Sequence, residues 1–135
     1  MALASKELTD VRIDTNTSAD ILAGTAFLLQ RDTEVTFSLA LLANNQNTSN
    51  WNVPLVVRRH RMGQPTPDTL FQGLNMTSTG VLMQEVTRTL PAGFHVIEIA
   101  QESTGTNGVI KTLSLVATEK SSNNRLVTTA NSPTL

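Results

Sequence analysis

The stretch Glu34-Val-Thr-Phe-Ser-Leu-Ala-Leu-Leu-Ala43 alternates with period two, and that alternation limits the fold more than any other feature of the chain. Val35, Phe37, Leu39 and Leu41 fall on one face, and Thr36, Ser38, Ala40 and Leu42 on the other. Successive side chains of a strand point to opposite sides, so the segment reads as a strand with one face in a core. Leu8–Asp14 reads as an edge-like first strand, and Val53–Met62 as another, its start confined to an edge or entry position by Pro54. Gly80–Leu90, Phe94–Gln101 and Val109–Glu119 follow, the last with Leu113, Leu115 and Ala117 on one face. Pro91-Ala92-Gly93 is a tight turn, which predicts that Phe94–Gln101 returns as the hairpin partner of Gly80–Leu90. Asp20–Gln30 reads either as a short helix or as a turn and strand, and Leu70–Leu74 as a short irregular piece. Six or seven strands spaced by turn signals close their faces by stacking two sheets or by forming a barrel.

The 135 residues suit one domain whose core needs no staple. None is present: the absence of cysteine excludes a disulfide scaffold and every thiolate metal site. Threonine is the commonest residue and asparagine is plentiful, which favours strands joined by polar loops. A net charge of −1 creates no field for nucleic acid or an anionic membrane, so neither is expected as a partner. No apolar run approaches the roughly 20 residues of a membrane span, and Met1–Glu7 lacks the basic end and apolar stretch of a signal peptide. The expected site of synthesis is a cytoplasm.

Catalytic chemistry finds little support. His60 and His95 lie far apart in sequence, with no His-Glu-x-x-His pattern, no Gly-x-Ser-x-Gly elbow and no phosphate loop. The chain is therefore read as no enzyme, with no catalytic residue, no metal site and no cofactor. The sharpest charge cluster is Arg58-Arg59-His60-Arg61, in which Arg59 and Arg61 share one strand face and Arg58 and His60 the other. An arginine patch of this kind suits phosphate or an acidic partner. Without a basic domain or interleaved aromatics it suits a solvated or subunit-contacting strand better. Asn-x-Ser/Thr triplets at Asn16, Asn47 and Asn75 are ordinary products of loops rich in these residues. Trp51, the single tryptophan, stands in the polar loop Asn44–Asn52 and reads as a plug, a subunit contact or a sugar-stacking platform.

The segment Leu90-Pro-Ala-Gly-Phe-His-Val-Ile-Glu-Ile99, with Leu113-Ser-Leu-Val-Ala117 after a glycine-containing turn, resembles the strands of TNF/C1q-like jelly-roll modules over residues 80–119. Such modules occur in phage virion proteins, as capsid decoration (cement) proteins and fibre tips. The resemblance implies an all-β, antiparallel jelly-roll-like β-sandwich, although strand counts alone do not separate it from an immunoglobulin-like sandwich. It also implies a structural virion protein that oligomerises, as a trimer, on the major capsid protein or another virion protein at the capsid surface. The alternative function is a carbohydrate- or receptor-binding module of a fibre or spike, with Trp51 as the sugar contact. The domain boundaries expected are an N-terminal arm over residues 1–7, a sandwich over 8–120 and an extended C-terminal arm over 121–135. That last segment is too polar to fold alone and becomes ordered only against something else. It would lie on a neighbouring subunit or on its own domain, with Leu126, Val127 and Leu135 as anchors and Arg125 as an ion-pair partner. Subunit or capsid contacts are thus expected at Arg58, Arg59, Arg61, Arg125, Leu126, Val127 and Leu135.

Overall fold

The computed structural model describes residues 2–13, 21–46, 50–103 and 105–120. These form eight strands: β1 (Ala2–Ile13), β2 (Ile21–Leu29), β3 (Thr33–Asn45), β4 (Val53–Arg61), β5 (Asp68–Met76), β6 (Gly80–Leu90), β7 (Gly93–Gln101) and β8 (Gly108–Glu119). All pairing is antiparallel, and β1 pairs with β8, β2 with β7, β3 with β6 and β4 with β5. The chain is thus one long hairpin, closed at the β4–β5 loop and rolled so that successive rungs alternate between two sheets. The sheets read β1-β8-β3-β6 and β2-β7-β4-β5. This order is that of an eight-stranded jelly roll, and it decides against the immunoglobulin-like alternative.

The period-two patterns do what strand geometry requires. Val35, Phe37, Leu39 and Leu41 of β3 and Leu113, Leu115 and Ala117 of β8 are all buried, facing Leu55, Val57, Ile97 and Ile99 of the opposite sheet in one continuous core. Of the segment Asp20–Gln30, Ile21–Leu29 is a strand rather than a helix, with Leu22 and Ala23 packed against that core and Phe27 and Leu29 buried. Leu70–Leu74, expected to be irregular, lies inside β5, where Gly73 (φ 69) and two register shifts obscure the alternation.

Two expectations need correction. Pro91-Ala92-Gly93 is an arch between the two sheets, not a hairpin turn: β6 pairs with β3, while β7 lies between β2 and β4. Gly93 takes φ 132 there, and the Ala92 N–H is held by Asp32 Oδ1 at 3.0 Å. Of the arm expected over residues 1–7, residues 2–7 do not stand apart, because β1 begins at Ala2 and runs against β8 from its first residues, with Leu3 and Ala4 packed on the core. Pro54 stands at the entry of β4, as the sequence reading expected, and the interior strand tolerates it there because the β7 ladder begins only at Leu55. The expected arm over 121–135 lies outside the described residues.

At the end of the sandwich where β8 begins, backbones approach too closely for side chains. A Cβ on Gly108 would overlap Val53 Cγ2 and stand 3.0 Å from Asn52 O and 3.3 Å from Trp51 Cε3. Val53 is fully buried and stiff at χ1, so it cannot swing away. Gly108→Ala is expected to cost about 1–3 kcal/mol by overpacking, read as a lower urea midpoint at unchanged slope.

Candidate interaction surface

The arginine strand divides as its alternation predicts. Arg59 and Arg61 point into the open end of the sandwich, and Arg58 and His60 point outward from β4. Arg59, almost buried, donates from a terminal nitrogen to His95 Nδ1 at 3.0 Å, and its Nε lies 3.4 Å from Asp68 Oδ2. Arg88 Nε reaches the same carboxylate oxygen at 3.3 Å. Arg61 donates to the Ala92 carbonyl at 3.0 Å.

His95 lies at the bottom of this cluster with no exposed surface, its ring stacked on Phe27 with centroids 5.5 Å apart. An arginine can only donate, so Nδ1 is the acceptor and Nε2–H donates to the Pro91 carbonyl at 2.9 Å. That fixes a neutral tautomer. Burial pushes the His95 pKa below its ordinary value; the Pro91 hydrogen bond opposes this, and the charges of Arg59 and Arg61 add to it. The cluster pins the β6–β7 arch to the sheet ends, and every member is occupied in doing so. Its role is architectural.

On the outer face, Arg58 binds Glu98 at 3.0 Å and His60 Nε2 lies 3.3 Å from the same carboxylate. Of the contact residues expected from sequence, Arg58 is therefore on the surface but paired, whereas Arg59 and Arg61 turn inward. Arg125, Leu126, Val127 and Leu135 lie outside the described residues. Trp51 is not a platform. It is 7% exposed and belongs to the core, where the Asn52–Thr106 bridge brings its loop beside Gly108. An indole with both faces packed has none to offer a sugar ring.

The surface feature that sequence reasoning missed lies beside Arg58 and His60. Leu28 of β2 is directly opposite Phe94 of β7, and Ala26 is opposite Val96; His60 of β4 is opposite Val96 on the other side. Met62 follows Arg61, the partner of His95, and continues the row. Leu28, Met62, Phe94 and Val96 are 58%, 81%, 43% and 37% exposed. Together they expose on the order of a few hundred Å², the size of the largest apolar patch on a typical monomer, which is often functional. A signal was present. Phe94-His95-Val96-Ile97 is apolar at both parities except for His95, as in a strand whose second face is also covered.

Phe94 is also the one aromatic side chain of the chain with appreciable exposure, since Phe27, Phe37, Phe71 and Trp51 are all buried. The outer face of the other sheet carries a shallow trough of about 360 Å³ bordered by Ser38, Ala40, Met83, Glu85, Ser114 and Val116. Its single titratable group, Glu85, accepts a hydrogen bond from Ser38 at 3.0 Å and has no acid or base beside it. Among the described residues no group of three His, Cys, Asp or Glu could hold a metal, and no helix is long and apolar enough to cross a membrane.

No family model and no curated protein matches the chain. Solved structures share its general shape at low identity. A CBM4 structure aligns at 15% identity and TM-score 0.46 over 72% of this chain, which spans 59% of that one. Murine APRIL aligns at 15% identity and TM-score 0.41, covering 83% of this chain and 96% of that one. The carbohydrate-binding module CBM6cm-2 of Cellvibrio mixtus lichenase 5A, in complex with cellotriose, aligns at 9% identity and TM-score 0.39, over 90% and 99%. At these values nothing about partners or ligands follows from the likeness.

Proposed function

We propose that this chain is a non-enzymatic assembly module, a jelly-roll part of a protein shell of the capsid-decoration kind, which docks on a protein surface through the outer face of β2-β7-β4-β5. The observation that carries this reading is the contiguous patch of Leu28, Met62, Phe94 and Val96, left open beside the closed Arg58–Glu98–His60 group. Apolar centre and polar rim are the anatomy of a protein contact. Arg58 and Glu98 neutralise each other, so this part of the face neither steers an ion nor repels a partner of either sign. A shell component has no need of a reactive group, and the ionisable cluster around His95 is spent on holding the arch.

The alternative, a carbohydrate- or receptor-binding module, loses its expected platform with the burial of Trp51 and would have to stack its sugar on Phe94. One substitution separates the two. Phe94→Asp leaves the core untouched and places a charge in the centre of the patch. Co-sedimentation with particles lacking the protein is expected to weaken about tenfold or more, with no signal from either protein on a glycan array. Unchanged particle binding would sink the assembly reading, and an array signal lost on Phe94→Asp would establish the glycan reading instead.

A further inference from the structure

Each sheet has two edge strands, and an open edge pairs with another chain unless something blunts it. Three of the four are interrupted. β1 has a register shift between Ala2 and Ala4 and a kink at Asp10 (φ 54); β2 shifts between Ile21 and Ala23; the β4–β5 ladder shifts twice and β5 turns at Gly73. β6 is different. Its pairing with β3 runs through 11 consecutive residues, Gly80 to Leu90, without a shift. It contains no proline and no lysine, its only glycine is its first residue, and its two charges, Glu85 and Arg88, leave the first half, Gly80–Gln84, uncharged. No other strand among the described residues pairs with its far side.

The side chains along that edge match their own copy. Val81 and Met83 are 65% and 75% exposed on the outer face, and Leu82 between them is half-buried at the margin of the core. A two-fold axis through Leu82, perpendicular to the sheet, would set Leu82 against the second copy's Leu82. It would also place Val81 opposite the second copy's Met83, and Met83 opposite the second copy's Val81. A register centred on the middle of the strand would instead put Glu85 against its own copy, and like charges directly opposite are destabilising. With the axis at Leu82 the ladder between copies spans Gly80–Gln84, and Glu85 lies beyond it, away from its own copy.

We propose that β6 is a self-association edge, joining β6 to β6 of a second copy in antiparallel pairing about Leu82 and making one eight-stranded sheet across two molecules. An isologous contact of this kind needs a single self-complementary surface, which is what β6 offers. The inference goes beyond the docking reading and does not depend on it, since the Phe94 patch belongs to the other sheet. It supplies a dimer, and the trimer expected from the sequence resemblance would require a further surface.

The test is sedimentation equilibrium of the full chain from micromolar to millimolar concentration. Wild type is expected to dimerise, and Met83→Lys, at a solvent-facing site, to weaken the dimer about tenfold or more. Phe94→Asp is expected to leave the dimer unchanged. Because the chain has no cysteine, single-cysteine variants report the register cleanly. Facing Cα atoms in an antiparallel pair lie about 4.5–5.5 Å apart, within the span of a disulfide. Leu82→Cys should therefore cross-link to a covalent dimer on oxidation, and Thr89→Cys, near the far end of the same strand, should not. A wild-type chain that stays monomeric throughout would overturn the proposal. So would wild-type affinity in Met83→Lys, or a Thr89→Cys variant that cross-links as readily as Leu82→Cys.

Discussion

Trp51→Ala is expected to lose about 3–5 kcal/mol of stability, the cost of truncating a large buried aromatic side chain. For a domain of this size the melting midpoint should fall by about 10–18 °C. The indole closes the end of the sandwich where β8 begins. Asn52 and Thr106 exchange backbone hydrogen bonds of 2.8 and 3.2 Å across it, and the Gln46 side chain donates to the Gly108 carbonyl at 2.9 Å. These polar groups leave Trp51 no room to be replaced by collapse, because the surrounding backbone is already pinned. The cavity should remain, and with it the upper part of the expected range. The consequence for function is specific. Loss of any ligand signal in this variant would report unfolding, so circular dichroism and a thermal melt must accompany every binding measurement made with it. A variant with wild-type stability would show that the indole is not a core residue.

The core was legible in the sequence because periodicity alone determines it. In β3, and in β8 from Leu113 on, the inward residues are apolar and the outward ones mostly small or polar, Leu42 and Val116 being the exceptions, so the alternation itself chooses the face. Pairing was not legible. The sequence around Pro91-Ala92-Gly93 fits a hairpin as well as an arch, and the choice depends on which strands already occupy the neighbouring positions. β3 takes the side of β6 that β7 would have used. The same nonlocality hid the role of the arginine strand. Its alternation was readable, but the partners that turn Arg59 inward, Asp68 and His95, come from strands 9 and 36 residues away. The exposed patch was hidden for a related reason: Leu28 and Phe94 become neighbours only through the β2–β7 ladder.

Removing the guanidinium of Arg59 tests whether that inward cluster holds the fold. Arg59→Met keeps an apolar stem but leaves His95 Nδ1 without a donor and Asp68 with Arg88 as its remaining ion-pair partner within the cluster. Asp68 is partly exposed and keeps Arg88, so the cost is mainly that of the unpaired buried acceptor on His95, about 1–3 kcal/mol. The pH dependence supplies a second, independent readout. His95 is neutral in the folded state and its pKa is lowered from 6.5, first by burial and then by Arg59 and Arg61. Below pH 6.5 the unfolded chain binds a proton there more readily than the folded one, so stability is full above that pH and falls on acidification. In Arg59→Met the burial persists while one of the repelling charges is gone. The contribution of His95 to the decline below about pH 6.5 should become smaller without vanishing. Urea titrations across that range, with His95→Gln as the variant in which this titration is absent, measure the difference directly. If Arg59→Met were as acid-sensitive as wild type, the charge of Arg59 would not be acting on the ring, and the histidine would owe its neutral state to burial and Arg61.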